Sequence, residues 1–269
     1  MKIIILTGNE IRHRFFRSKM SLDSRFDVIA TFCEGVEKSL ENRTKSNCNA
    51  SKIELMHVNA RTQAERDFFE LPISVMNDCS NYQLIPKGAI NERKTVDSIK
   101  FVNPDLIICY GSSIIKSELL HLYSGKFLNV HLGLSPYYRG AGTNIWPLIN
   151  LEPEMVGATF MHIDAGIDTG KIIHQIRPDI FLGDGPHSIG NRLISKMTEV
   201  YSDIVANFHS LNVEIQPKAE GKLYYNKDFN EAACNKLYKN FSNGMITEFV
   251  NNLNPSSFPC IVENKALKL

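Results

Sequence analysis

Residues 127–142 read FLNVHLGLSPYYRGAG, and the change of character within this stretch decides the fold. Phe127 to His131 is short and apolar apart from Asn129 and His131, and a run of glycine, proline and other turn formers closes it. A strand that is apolar at successive positions, without alternation, is buried on both faces, as in a parallel sheet covered by helices. In such sheets ligands collect at the carboxyl ends of the strands. Side-chain direction repeats every two residues, so Asn129 and His131 leave that end on the same side.

Working outward, residues 2–7, 27–33 and 106–110 predict strands of the same kind. Helices are expected at 60–71, 96–102, 116–122 and 143–151. Strand–helix alternation implies an open, mostly parallel, Rossmann-like α/β sheet with right-handed crossovers. Residues 39–52 are polar and without periodicity, and predict a mobile surface loop. Beyond His131, residues 156–163 and 170–177 read as two strands joined by a turn-rich connection. Residues 186–211 then carry Ile189, Leu193, Met197, Val200 and Ile204 at helical spacing. The remaining stretch predicts a strand at 222–225 and helices at 231–241 and 245–253. The division is therefore a domain over 1–211 and a small C-terminal α+β extension over 212–269. Ile246, Phe249, Val250 and Leu253 predict one buried helix face, packed on the body or on a second copy in a homodimer.

Composition narrows the function classes. A chain of 269 residues with 43% hydrophobic side chains can bury a sizeable core. A net charge of +1 gives no electrostatic reason to bind nucleic acid, although a few local donors could still hold a small acidic ligand. The six cysteines lie scattered without a C-x-x-C pair, which predicts a reducing compartment and no metal site. Cys33 and Cys109 sit in apolar runs and read as core thiols. The N-terminal strand lacks a cleavage site, and no apolar run approaches the ~18 residues of a membrane span. The expectation is a cytoplasmic protein without a membrane partner. G-x-S-x-G and G-x-G-x-x-G are both missing, against a serine hydrolase and a dinucleotide enzyme.

Chemistry concentrates at two places. Asn129 offers an amide donor and His131 a proton acceptor with a near-neutral pKa. Acyl transfer to an amine needs both functions, a donor aimed at the oxyanion and a base for the amine proton. Taken alone, the pair reads more readily as a turn cap beside a buried histidine. The second place is the connection 164–169, where Asp164 and Asp168 both could present a carboxylate that orients His131. Either could instead close an Asx-turn on its own backbone, and spacing does not choose between them. Trp146 reads as helix packing.

Together these residues resemble the folate-dependent formyltransferases. The resemblance rests on Asn129 and His131, then Ser135 and Pro136, then Tyr138, Arg139 and Gly140, then Gly157 and Thr159, and finally Asp168 two before Gly170. It covers residues 95–210 well and residues 1–95 in outline. Where many members have proline and serine after the histidine, this chain has Leu132 and Gly133. The residues after the first strand lack the glycine-rich phosphate loop of the purine enzyme. The resemblance implies N10-formyltetrahydrofolate as co-substrate, with no metal. It implies Asn129, His131 and Asp168 as the catalytic set, with His131 a base or a charge-stabilising donor. Folate contacts are implied for Tyr110, Gly111, Ser112, Ser113, Ile114, Ile115, Asp164 and Gly166. Acceptor contacts are expected from Arg12, Tyr138, Arg139, Thr143, Thr159 and His162. The family's tRNA-modifying members carry a further domain of about 100 residues, so the acceptor expected here is a small primary amine, most readily a nucleotide-linked amino sugar, with no nucleic acid; glycinamide ribonucleotide, methionyl-tRNA and a non-catalytic folate- or nucleotide-binding role stay open as alternatives.

Overall fold

The computed structural model describes residues 1–217 and 221–267. Its centre is β1 (Lys2–Thr7), whose five residues after Lys2 are fully buried. Around it lie β2 (Asp27–Glu34), β3 (Tyr82–Ile85), β4 (Leu106–Tyr110), β5 (Phe127–His131), β7 (Ala158–His162) and β8 (Ile172–Ile176). The seven strands stand in the order β3-β2-β1-β4-β5-β7-β8. The first five are mutually parallel. β7 and β8 then return as an antiparallel pair against β5. The expected open, mostly parallel sheet is therefore present, and its order reverses between β1 and β4. At such a reversal the carboxyl ends of neighbouring strands open a crevice. Here Thr7 Oγ1 bridges it, donating to the Tyr110 carbonyl at 2.7 Å.

Helices cover both faces. α1 (Ile11–Ser21), α3 (Lys52–Val75) and α7 (Pro186–Ala206) pack together on one side, with Phe16, Phe69, Phe160 and Tyr201 in a shared core. α4 (Arg93–Val102) covers the other side, where Ile4, Leu6, Ile107 and Ile99 meet. Cys33 and Cys109 are buried core thiols, and burial pushes the Cys109 thiol up to about 12. No helix among the described residues is long and apolar enough to cross a membrane.

Three expectations fail for physical reasons. Residues 39–52 are no loop: α2 (Leu40–Ser46) forms there with none of its residues buried. Local pairs hold it. Ser39 accepts from the Asn42 amide at 3.1 Å, and Lys45 reaches back to Glu41. Such a helix has no apolar face, so hydrophobic periodicity cannot detect it. α3 begins at Lys52 rather than at residue 60, because Ser51 and Glu54 form a reciprocal capping box. The helix expected at 143–151 shrinks to α6 (Trp146–Ile149). α1, β3 and β6 (Tyr138–Gly140) were not anticipated at all.

The C-terminal part returns to the body. β9 (Lys222–Tyr224) pairs in parallel with β6, so residue 140 meets the Tyr224 backbone. Gly140 has φ 91°, and a Cβ there would strike the Tyr224 carbonyl, two reasons for glycine at that turn. Trp146 stacks on Tyr224 with centroids 4.3 Å apart, which confirms its packing role. α8 (Glu231–Ser242) and α9 (Met245–Asn251) bury Leu237, Met245 and Ile246 in the same core as the sheet. Leu253 falls beyond α9 and is exposed, so the expected four-residue face ends early.

Candidate active site

β5 delivers Asn129 and His131 to the sheet's carboxyl edge, and two cavities meet there. The larger, about 540 Å³, is lined by Asn129, His131, Asp168 and Thr143 at one end and by His57, His187, Tyr225 and Phe229 among others. The smaller, about 140 Å³, is a slot between Ser112–Ile115 and the 161–170 hairpin. Asn129 lines both, together with Ser112, Ile114, Ile167 and Asp168. Among the described residues its side-chain amide bonds no protein group.

His131 is buried and anchored at both ring nitrogens. Nε2 lies 2.9 Å from the Tyr138 carbonyl and 3.2 Å from Thr143 Oγ1. A carbonyl only accepts, and the Thr143 hydroxyl donates to Leu132 O at 2.7 Å, so Nε2 carries the proton. Nδ1 stands 3.3 Å from Asp168 Oδ2. Neither nitrogen faces open space. Asp168 Oδ2 accepts from the Gly140 amide at 2.9 Å, whereas Oδ1 has no protein partner among the described residues.

The two aspartates of the connection separate cleanly. Asp164 Oδ1 accepts from the Gly166 amide at 3.0 Å and from the Thr169 hydroxyl at 2.7 Å, a turn closed on itself. Asp168 is the one opposite His131. It holds φ 53°, the left-handed region that side-chain-bearing residues seldom occupy.

Several expected contacts move. Ser112, Ser113, Ile114, Ile115, Asp164 and Gly166 do line the slot. Tyr110 and Gly111 instead face the larger cavity. His162 lines the slot and not the larger cavity, and burial holds its imidazole below the usual value. Thr159 is fully buried and ties the loop after β5: it donates to Gly133 O at 2.7 Å and accepts from the Ser135 amide at 3.0 Å. It lines neither cavity. Tyr138 is buried too, its hydroxyl on Glu152 and Asn150, and it serves the site through its carbonyl. Arg139 lines neither cavity, its Nε buried in the β6 wall. Arg12 does line the larger cavity, but Glu65 at 2.9 Å and Glu10 occupy its guanidinium and hold it firmly charged. The cavity's less committed cations are Arg43, which reaches Asn226 at 3.1 Å, and Arg61, bound to Glu65 at 2.9 Å.

Sequence reading missed three groups. His13 sits in the crevice between β1 and β4, where a Cβ on either Gly8 or Gly111 would collide with its ring. Gly111 also has φ 69°, so glycine is required there twice over. Burial and the Arg12 charge hold His13 neutral, well below the usual histidine range. Its Nδ1 accepts from the Glu10 amide at 3.2 Å. Glu34 ends β2 and is fully buried, yet reaches across the sheet edge. It accepts from the Ser113 amide at 2.6 Å, the Gly88 amide at 2.7 Å and Lys87 Nζ at 2.8 Å. His57 and His187 pack ring to ring at 4.9 Å at the far end of the larger cavity. Burial depresses them to about 3 and about 4. A lone glutamate or histidine carries no pattern that would have found these.

The sequence profile of the formyl transferase family matches residues 29–205. The chain belongs to the formyl transferase family. The expected open, mostly parallel sheet agrees with that membership. The chain is 32% identical to a methionyl-tRNA formyltransferase of Caldanaerobacter subterraneus over 152 residues, 56% of this chain and 45% of that protein. A methionyl-tRNA formyltransferase of Clostridioides difficile is 35% identical over 102 residues, 38% of this chain and 32% of that one. The formyl transferase chain described here thus spans between a third and a half of these curated relatives. Among solved structures, a sugar N-formyltransferase from a Shewanella species superposes with a TM-score of 0.56 at 18% identity, over 85% of this chain and 78% of that one. A phosphoribosylglycinamide formyltransferase from Anaplasma phagocytophilum gives 0.54 at 13% identity, over 84% and 98%. At those identities the likeness is one of fold.

Proposed function

We propose that this formyl transferase moves a formyl group from N10-formyltetrahydrofolate to the primary amine of a nucleotide-linked amino sugar. The observation that carries the reading is the position of Asn129, an amide without a protein partner at the junction of two cavities, beside a histidine–carboxylate pair. The slot suits a flat heterobicycle: Ile114 and Ile167 offer apolar faces, and two backbone loops offer donors and acceptors at the edges. Bound there, the folate supplies an activated formyl carbonyl and the nitrogen that departs.

The chain's own residues divide the remaining work. Asn129 donates its amide to the formyl oxygen, where negative charge grows as the amine attacks. Asp168 takes the amine proton through its unpartnered Oδ1 and returns it to the departing nitrogen. His131, bonded to the Tyr138 carbonyl and set beside Asp168, orients that carboxylate, so its role is to position it rather than to act as the base. Size and chemistry of the larger cavity support the acceptor class. Its volume far exceeds that of a simple amine, Arg43 and Arg61 bring positive charge for phosphate, and Tyr225 and Phe229 bring flat apolar surface.

The test is mass spectrometry of N10-formyltetrahydrofolate reactions with nucleotide-linked amino sugars, glycinamide ribonucleotide and methionyl-tRNA. A formyl-sized gain on an amino sugar alone is the expected result. Asn129→Ala should lower turnover about 10²–10³-fold in a folded protein, the usual loss for one oxyanion donor. Gain only on the ribonucleotide or the tRNA overturns the acceptor class, and failure to bind the folate overturns the activity.

A further inference from the structure

Asp168 is held in place by a segment distant in sequence. Its left-handed φ of 53° is sparsely populated by residues with a side chain, and persists where the surroundings fix it. Within the hairpin loop, the Asp164 turn fixes the near end through Gly166 and Thr169. At the far end, Gln216 Nε2 donates to the Asp168 carbonyl at 3.0 Å and to the Gly170 carbonyl at 2.7 Å. Among the described residues no other side chain bonds either carbonyl. One amide thereby spends both hydrogens on carbonyls two residues apart, and brackets the residue whose carboxylate meets His131.

Gln216 is itself anchored. Two residues earlier, Glu214 and Ile172 exchange both backbone bonds at 2.8 Å, an antiparallel bridge onto the start of β8. The donor thus hangs from the sheet rather than from a free tail.

We propose that Gln216 is a positioning residue for formyl transfer: it holds the Asp168 backbone in the left-handed conformation that aims the carboxylate at His131. The inference rests on the role given above to Asp168. It places a working part of the site outside the stretch matched by the family, residues 29–205. Gln216 touches neither cavity and acts only through the loop.

The test compares Gln216→Glu, Gln216→Ala and Asp168→Asn in the full chain, using the acceptor that emerges from the panel above. Gln216→Glu keeps the size of the side chain but replaces two donors by acceptors facing two carbonyls. Both Gln216 variants should lose kcat roughly ten- to hundredfold, as expected for a small misplacement of a reacting group, while KM for folate and acceptor stays within about twofold. Amide hydrogen exchange over residues 164–170 should accelerate about tenfold in both, with β1 and α1 unchanged. Such a split between kcat and KM, with exchange confined to one loop, does not follow from a general loss of stability. Near-normal kcat in the Gln216 variants beside a crippled Asp168→Asn overturns the inference and leaves the function standing. So does exchange that rises evenly along the chain. An active Asp168→Asn enzyme sinks the role of Asp168 and the positioning of it together.

Discussion

Asn129 stands between two loops that are built on opposite plans. The loop 111–115 follows a parallel strand, and its tie is a charge: buried Glu34, from a strand two places away across the sheet, takes the Ser113 and Gly88 amides and the Lys87 ammonium. The loop 164–170 joins an antiparallel pair, and its ties are neutral or local: the Asp164 turn and the Gln216 amide. Strand-end loops in a parallel sheet have no hairpin partner, so their backbone donors need an acceptor brought from elsewhere, and a carboxylate can serve three at once. The hairpin supplies part of its own closure through Asp164 and takes the rest from one distant neutral amide, Gln216. A buried charge fixes the loop 111–115, and neutral bonds fix the loop 164–170.

The sharpest break of this comparison is between the two aspartates. Asp168→Asn should cost about 10²–10⁴-fold in kcat, the range for loss of a general base. Asp164→Asn should cost no more than about threefold, because an asparagine Oδ1 accepts the same two bonds. Steady-state kinetics on both variants checks this, and equal losses would dissolve the division between structural and chemical carboxylate. Glu34→Gln tests the other loop. It removes one charge-assisted acceptor from a buried triad, worth about 2 kcal/mol, and should raise KM for the folate about tenfold while kcat holds. A fall in kcat with unchanged KM would show that the two loops do not divide the work.

The smallest expected effect is a pH dependence confined to the first loop. His13, wedged under Gly111, is kept neutral in the fold while an unfolded histidine titrates near 6.5. Below that pH the unfolded chain binds the extra proton first, so stability is full above about 6.5 and is lost progressively as the pH falls. The groups facing the ring include Arg12 and Lys87, which oppose a proton there, and Glu10, which favours one. Urea unfolding at pH 7.5 and 5.0 should show a smaller acid loss for His13→Gln than for the wild type. An identical loss in both would assign the acid sensitivity elsewhere, with the neutral pair His57 and His187 next in line.

Much of this was legible in the residues, and what was not shares a cause. Continuous apolar runs at residues 3–6 and 106–109 announced strands buried on both faces, and the N-x-H at 129–131 marked the right edge of the right strand. Burial is a property of hydrophobic pattern, so pattern found it. The choice between Asp164 and Asp168 was invisible to spacing because both lie in the same turn, and backbone geometry alone separates them. α2 escaped because its stability comes from caps and i,i+4 pairs rather than from an apolar face. Arg12 looked like a ligand contact because a sequence shows charges but not their partners, and Glu65 lies 53 positions away. Thr159 and Tyr138 are polar in sequence, but burial makes their hydroxyls structural ties, which sequence alone does not show. Glu34 and Gln216 act over long separations through backbone groups, which no local motif encodes.

The late position of Gln216 has a consequence for the order of synthesis. Chains emerge amino end first, and a domain begins to fold as it leaves the ribosome. When residue 206 ends α7, all seven strands and all three proposed reacting side chains have already been made. The carbonyls of residues 168 and 170 then still lack the amide that brackets them, and β9, which backs the Gly140 turn, is also to come. A nascent chain at that stage can hold its sheet without yet holding Asp168, whose bracketing amide follows about ten residues later.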